Sequence, residues 1–291
     1  MYLASLSAQN GLLLEAIEYT SKKLQESKVC SEPFEHYIID EFLHPEIFQN
    51  IDIFVRDQKN QLTPKNNQEE RKIINIRDMD PNQQGLKENV SIIPRFFKSL
   101  ELKVQFMDFM KNHIKNESWK ERNTDVDALY FEDSLGYQLP PHTDAPQKLV
   151  TCLIYCAEDD ETTDMGTSLL KLKNGFRADP EKYYWYDFSQ FDEIKRIPYK
   201  PNTALIFSPS KISYHGVIEN KSPRIRKVLQ YQVTTGEYRR RAVSLTENAN
   251  LLKTELRKNA VKYSKSKPTH SFKFGGQKVK FALPNEICVE R

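Results

Sequence analysis

The stretch KLVTCLIYCA, Lys148–Ala157, constrains the fold of this chain more than any other. It is apolar at odd and even positions alike, and no charge follows Lys148 until Glu158. A strand sends successive side chains to opposite faces, so a strand of this kind needs cover on both. Around it lie DALYFED, TSLLKLK, NTALIFSP, SYHGVIE and IRKVLQYQVT, all between Val126 and Thr235. Each is short and rich in β-branched and aromatic residues, and Gly, Pro, Asn and Asp separate them. Such a run predicts a sandwich or barrel.

The covering layers are legible upstream. NGLLLEAIEYTSKKL, Asn10–Leu24, carries Leu13, Ile17 and Tyr19 among polar residues and predicts an amphipathic helix. EHYIIDEFLHPEIFQNIDIFV, Glu35–Val55, reads as a short strand, a turn and a helix with Pro45 in its first turn. RFFKSLELKVQFMDFMKNHI, Arg95–Ile114, places Phe97, Leu100, Val104, Met107, Met110 and Ile114 at steps of three and four, which predicts one helix packed by that face. These helices would cover one face of the central strand and a second sheet the other.

The expected organisation is a helical segment over residues 1–34, a β-rich domain over 35–235 and a C-terminal extension over 236–291. Within the domain, residues 56–92 are polar and read as a surface excursion and candidate lid. The extension holds 13 Lys and Arg against 5 Asp and Glu, although the whole chain is only +3. Its SFKFGGQKVKF predicts a hairpin about Gly275-Gly276. A basic tail can meet phosphates, but a solvated surface is the plainer reading, and nucleic acid is not an expected partner. No apolar stretch reaches membrane-spanning length, and no signal peptide is visible. Four cysteines (Cys30, Cys152, Cys156, Cys288) without a CxxC pair fit reduced thiols in a cytoplasm.

The chemistry concentrates in LPPHTDAPQKLVTCLIYC, Leu139–Cys156. His142 and Asp144 share parity, so both project from one strand mouth. A His-x-Asp pair alone is weak evidence; its place between two prolines and a buried strand strengthens it. His215, beside Gly216 at another strand edge, supplies a third donor. Two histidines and one carboxylate on one face of an octahedral ion leave three positions open, which suits a non-heme Fe(II) oxygenase. A closed zinc site would take four protein ligands.

With these residues in view, the sequence resembles the Fe(II)- and 2-oxoglutarate-dependent dioxygenases, nearest to the prolyl 4-hydroxylase-like branch. YIIDEFLHPEIFQNI is similar to the opening strand and helix of that branch. YQLPPHTDAPQKLVTCLIYC resembles its first metal-ligand strand, with Thr151 and Tyr155 in their usual places. MGTSLLKL, NTALIFSPSKISYHGV and RIRKVLQYQ follow in the family's order, so the resemblance runs roughly from Glu35 to Val233. It implies a mainly β fold with flanking helices, a double-stranded β-helix or cupin-like jelly roll. It implies Fe(II) on His142, Asp144 and His215, and 2-oxoglutarate held by an arginine after His215. Arg226 is preferred and Arg224, of the same parity, is the alternative. Tyr130 is a weaker candidate for the same carboxylate, with a core role as the competing reading.

The implied activity is hydroxylation of an unactivated C–H bond of a small molecule (an amino acid, a sugar acid or a natural-product intermediate), with O2 as oxidant and ascorbate as a candidate reductant. A peptidyl hydroxylase and a non-catalytic binding protein on the same scaffold are the alternatives. The substrate's identity and the oligomeric state are not legible. EDDETTD (Glu158–Asp164) reads as a solvated loop, YYWYDF (Tyr183–Phe188) as packing with pocket lining as the alternative, and RRR (Arg239–Arg241) as surface. His36, His44, His113 and His270 lack partners at metal-ligand spacing.

Overall fold

The computed structural model describes residues 2–65, 68–80, 88–114, 123–176, 185–235, 270–274, 277–282 and 286–289. The chain divides into two compact units, Met1–Tyr238 and Arg239–Arg291. The first unit begins with α1 (Tyr2–Glu26), β1 (Val29–Cys30), β2 (His36–Ile39) and α2 (Pro45–Asp57), followed by β3 (Thr63–Lys65) and β4 (Gln68–Asn75). Two helices, α3 (Glu88–Lys98) and α4 (Leu100–Met110), precede β5 (Thr124–Asp133), β6 (Leu139–His142) and β7 (Lys148–Tyr155). The remainder is β8 (Ser168–Leu172), β9 (Phe191–Arg196), β10 (Thr203–Phe207), β11 (His215–Val217) and β12 (Arg226–Thr235). In the second unit β13 (His270–Phe274), β14 (Gln277–Ala282) and β15 (Glu286–Val289) form a three-stranded antiparallel sheet.

Two sheets make the body of the first unit. The larger runs β1-β2-β10-β7-β12-β5-β4-β3 and the smaller β6-β11-β8-β9, with all pairings antiparallel. From β5 to β12 the chain passes between them in the order large, small, large, small, small, large, small, large. This winding is a double-stranded β-helix, the mainly β jelly roll that the family resemblance implies. β7 sits at its centre, covered on both faces as its composition requires. Val150, Cys152 and Ile154 face α1 to α4 in the larger core, with Phe54, Phe97 and Phe106. Leu153 and Tyr155 face the small sheet, with Leu169, Ile197 and Phe207. Cys152 is a buried free thiol. Gly166 lets the chain entering β8 lie against the end of its partner β9, because a Cβ there would meet the Ile197 carbonyl oxygen at 1.6 Å.

Two expectations need correction. The helix expected over Arg95–Ile114 is broken at Ser99, whose extended backbone and side chain cap α4 by accepting from the Leu102 N–H. The break turns Leu100 and Val104 outward, so the expected single apolar face is not continuous. The polar excursion over 56–92 is largely built into the fold. β3 and β4 extend the large sheet beyond β5, and Ile74 and Ile76 are fully buried. β4 escapes notice because its first half is charged, with Glu69, Glu70 and Lys72 exposed, and the buried isoleucines come only at its end. Residues 66–67 and 81–87 of that segment lie outside the described residues, as do Arg239–Arg241.

Candidate metal centre and its cationic pocket

His142 ends β6 and His215 opens β11, and these two residues are directly paired across the strands. Gly216 permits this pairing, since a Cβ on it would lie 2.8 Å from the Leu139 carbonyl oxygen. Asp144 follows two residues after His142, and the three residues each bring one donor atom within 4.8 Å of the others. The two imidazole centroids are 4.4 Å apart.

Each ring is held by its own strand. The His142 Nδ1 lies 2.9 Å from the Pro140 carbonyl and the His215 Nδ1 lies 3.0 Å from the Ser213 carbonyl. A carbonyl can only accept, so Nδ1 carries the proton and Nε2 keeps its lone pair for a metal. Burial pushes the His142 imidazole down to about 3, with His215 adding to it. Burial likewise lowers His215. Both rings are therefore neutral at ordinary pH, the form that ligates. Asp144 is buried, which alone would raise its carboxyl; the Lys148 ammonium and the two histidines outweigh this and hold it well below the usual carboxylate range. Lys148 Nζ donates to its Oδ1, and Thr151 Oγ1 donates to Oδ2 at 2.7 Å. This donor set, two oriented imidazoles and one ionised carboxylate, fits an octahedral Fe(II) with open positions.

The three residues line a cavity of about 300 Å³. Its other walls include Lys65, Arg71, Leu139, Leu153, Val228, Gln230 and the exposed Trp185. Arg226 faces this cavity and is 2% exposed. Its guanidinium donates to Asp133 Oδ2 at 2.8 Å, to the Met165 carbonyl at 2.6 Å and to Thr167 Oγ1 at 3.2 Å. Asp133 also receives a two-pronged pair from Arg71, Nε to Oδ1 at 2.5 Å and Nη2 to Oδ2 at 2.7 Å. The Arg71 guanidinium is stacked between Phe131 and Tyr137, 4.4 and 4.1 Å from their ring centres. One fully buried carboxylate thus joins β4, β5 and β12.

Arg224 does not face the cavity, contrary to the parity expectation. The ladder begins at Arg226, so strand alternation does not extend back to Arg224. Its exposed guanidinium pairs with Asp159 and Glu161, both at 2.6 Å. That pairing also explains the acidic loop. Tyr130 is not at the cavity either. It pairs with Leu229 on the face of the large sheet that packs against the helices, and its ring lies in the larger core. Its neighbour Phe131, of opposite parity, takes the cavity wall. YYWYDF divides its roles: Trp185 lines the cavity mouth while Tyr186 packs on Phe191 and Tyr214.

The sequence reading missed Lys65, Arg71 and Asp133. The available signal was the β-branched cluster Ile73, Ile74 and Ile76 in EERKIINI, which marks a strand carrying Arg71 on the face opposite Ile74. His36 and His113 have structural partners, the Phe34 carbonyl and the Tyr37 hydroxyl, and His44 caps α2.

No family model and no curated protein matches the sequence. Solved structures do. A Pseudomonas putida prolyl-4-hydroxylase is similar with a TM-score of 0.45 and 13% identity, over 74% of this chain and 98% of that one. A Phytophthora capsici prolyl 4-hydroxylase is similar with a TM-score of 0.48 and 16% identity, over 76% and 66% of the two chains. HygX from Streptomyces hygroscopicus, solved with nickel, 2-oxoglutarate and hygromycin B, gives a TM-score of 0.46 and 10% identity over 69% and 83%. No helix among the described residues is long and apolar enough to cross a membrane.

Proposed function

We propose that this chain is an Fe(II)- and 2-oxoglutarate-dependent oxygenase that hydroxylates an unactivated C–H bond of a small molecule. The observation that carries the reading is the convergence of His142, Asp144 and His215 within 4.8 Å at a cavity lined by cations. Bound together, Fe(II) and 2-oxoglutarate supply oxidation of the substrate by O2, coupled to conversion of 2-oxoglutarate into succinate and carbon dioxide.

The chain's own residues bind and orient. His142, Asp144 and His215 would hold the metal, with each histidine fixed from behind by a backbone carbonyl. Thr151 orients the Asp144 carboxylate from a core strand, and Lys148 keeps it ionised. Arg226 is assigned to the distal carboxylate of 2-oxoglutarate. Its fork suits a carboxylate, and three of its five N–H groups are already engaged, which fixes the guanidinium in place. Leu139, Leu153 and Val228 supply the apolar part of the cavity lining beside the metal ligands. The cavity volume, about 300 Å³, lies at the lower end of ligand sites and favours a small substrate over a protein segment.

Anaerobic calorimetry with Fe(II) and then 2-oxoglutarate tests the reading. One metal per chain and metal-dependent binding of 2-oxoglutarate are expected, both lost in His142→Ala and His215→Ala. Metal affinity unchanged in both variants would overturn the ligand assignment.

A further inference from the structure

Lys65 is the cavity charge that remains unmatched. Arg71 and Arg226 share Asp133, and Lys148 donates to Asp144. Among the described residues, no carboxylate comes within ion-pair distance of the Lys65 ammonium, which lies 4.7 Å from the centre of the Phe131 ring. A lysine in such a place is held against its preference: burial, with Arg71 and Lys148 nearby, pulls its pKa down to about 8. Phe131 offers the charge a π face, which is weaker than an anion.

Charge arithmetic over the cavity points the same way. Lys65, Arg71, Lys148 and Arg226 are four positive charges; Asp133, Asp144 and the half-buried Asp127, whose carboxylate acts on Lys65 and Lys148 from beyond ion-pair distance, are three negative ones. A divalent metal and a 2-oxoglutarate dianion cancel each other. The loaded site would still carry one surplus positive charge, and a neutral molecule entering it would leave that charge unanswered. Lys65 also reaches the cavity from β3, outside the winding that carries the metal ligands and Arg226. A residue delivered by such an added element suits selection of the substrate, because the metal and co-substrate positions are already furnished from within.

We propose that Lys65 binds a carboxylate on the primary substrate, so that the substrate is an anionic small molecule. The inference rests on the proposed oxygenase function. A carboxylate is favoured over a phosphate because the neighbouring guanidinium of Arg71 is committed to Asp133, leaving a single lysine to meet a single charge.

The test uses the full chain loaded with Mn(II) and saturating 2-oxoglutarate. Carboxylic acids graded from amino-acid to aryl-acid size are titrated by calorimetry, each beside its own primary amide. At least one acid is expected to bind about tenfold or more tightly than its amide, an interval of about 1.4 kcal/mol. Lys65→Met should erase that preference and Lys65→Arg should retain it, with the 2-oxoglutarate affinity within about twofold in both. A panel in which no acid outbinds its amide overturns the proposal, as does a preference that survives Lys65→Met. A loss of 2-oxoglutarate affinity of tenfold or more in Lys65→Met would assign the lysine to the co-substrate and also overturn it. Failure of wild-type protein to bind Mn(II) or 2-oxoglutarate is a separate result, and it would remove the oxygenase reading together with this one.

Discussion

The metal-binding wall of the cavity and its cationic wall are built on different plans. The first has a local nucleus: His142 and Asp144 lie two residues apart, both rings are braced by carbonyls two residues upstream, and only His215 arrives from afar, paired directly with His142 across the strands. The second is assembled at long range. Arg71 and Asp133 are 62 residues apart, Asp133 and Arg226 are 93 apart, and the carboxylate that joins them is fully buried. A local constellation survives as a motif in the sequence. A charge network closed across three strands leaves no motif: Arg71 stands in a segment that reads as polar surface, and Asp133 and Arg226 stand in strands whose pairing is not written locally.

Substitutions can break or sharpen that contrast. The largest effect is expected at Asp144→Ala, which should reduce succinate formation to background while the protein remains folded, as checked by circular dichroism. Full activity in that variant would show that the carboxylate is no ligand and that the metal wall is misassigned. Asp133→Ala should act on the other wall and through stability. It strands two buried guanidiniums, and losing one partner of a buried pair costs about 3–5 kcal/mol. Denaturant unfolding would read this, and a loss below about 1 kcal/mol would mean that solvent already screens the network.

Arg226→Lys comes next. It keeps the charge but loses the fork, so 2-oxoglutarate binding should weaken by roughly 30-fold or more, about 2 kcal/mol at the least, with metal affinity little changed. Arg224→Lys, two residues away but paired at the surface, should leave both affinities within about twofold. If the two variants exchange these effects, the ladder places the wrong arginine in the cavity. Ser99→Ala, remote from both walls, removes a helix cap and should cost about 1 kcal/mol without altering either affinity.

These residues also mark how far sequence reading extends. The doubly apolar strand β7 specified a central position with cover on both faces, because burial on two sides leaves no tolerance for polar residues. His142, Asp144 and His215 could be found because short spacings and strand edges preserve them. Arg226 was legible through resemblance, whereas its rival Arg224 could be excluded only by knowing where the ladder starts. Tyr130 could not be placed by type, since a core tyrosine and a cavity tyrosine differ by one step of strand alternation. Ser99 was an available helix cap, but the apolar spacing on either side of it concealed the break. Lys65 acquires its meaning from β3 lying at the far side of β4, and pairing of that kind is not written in local composition.

The bracing of the two histidines has a consequence for how the site can drift. Pro140 and Ser213 contribute their carbonyl oxygens and not their side chains. Every amino acid has that oxygen, so exchanging either residue for another leaves the brace in place as long as the backbone path is kept. The ligand orientation is thereby insulated from point mutation at the positions that enforce it. Selection on this half of the centre falls on the histidines and on strand geometry, which at Ser213 includes the two hydrogen bonds that its buried hydroxyl makes with the Ser210 backbone.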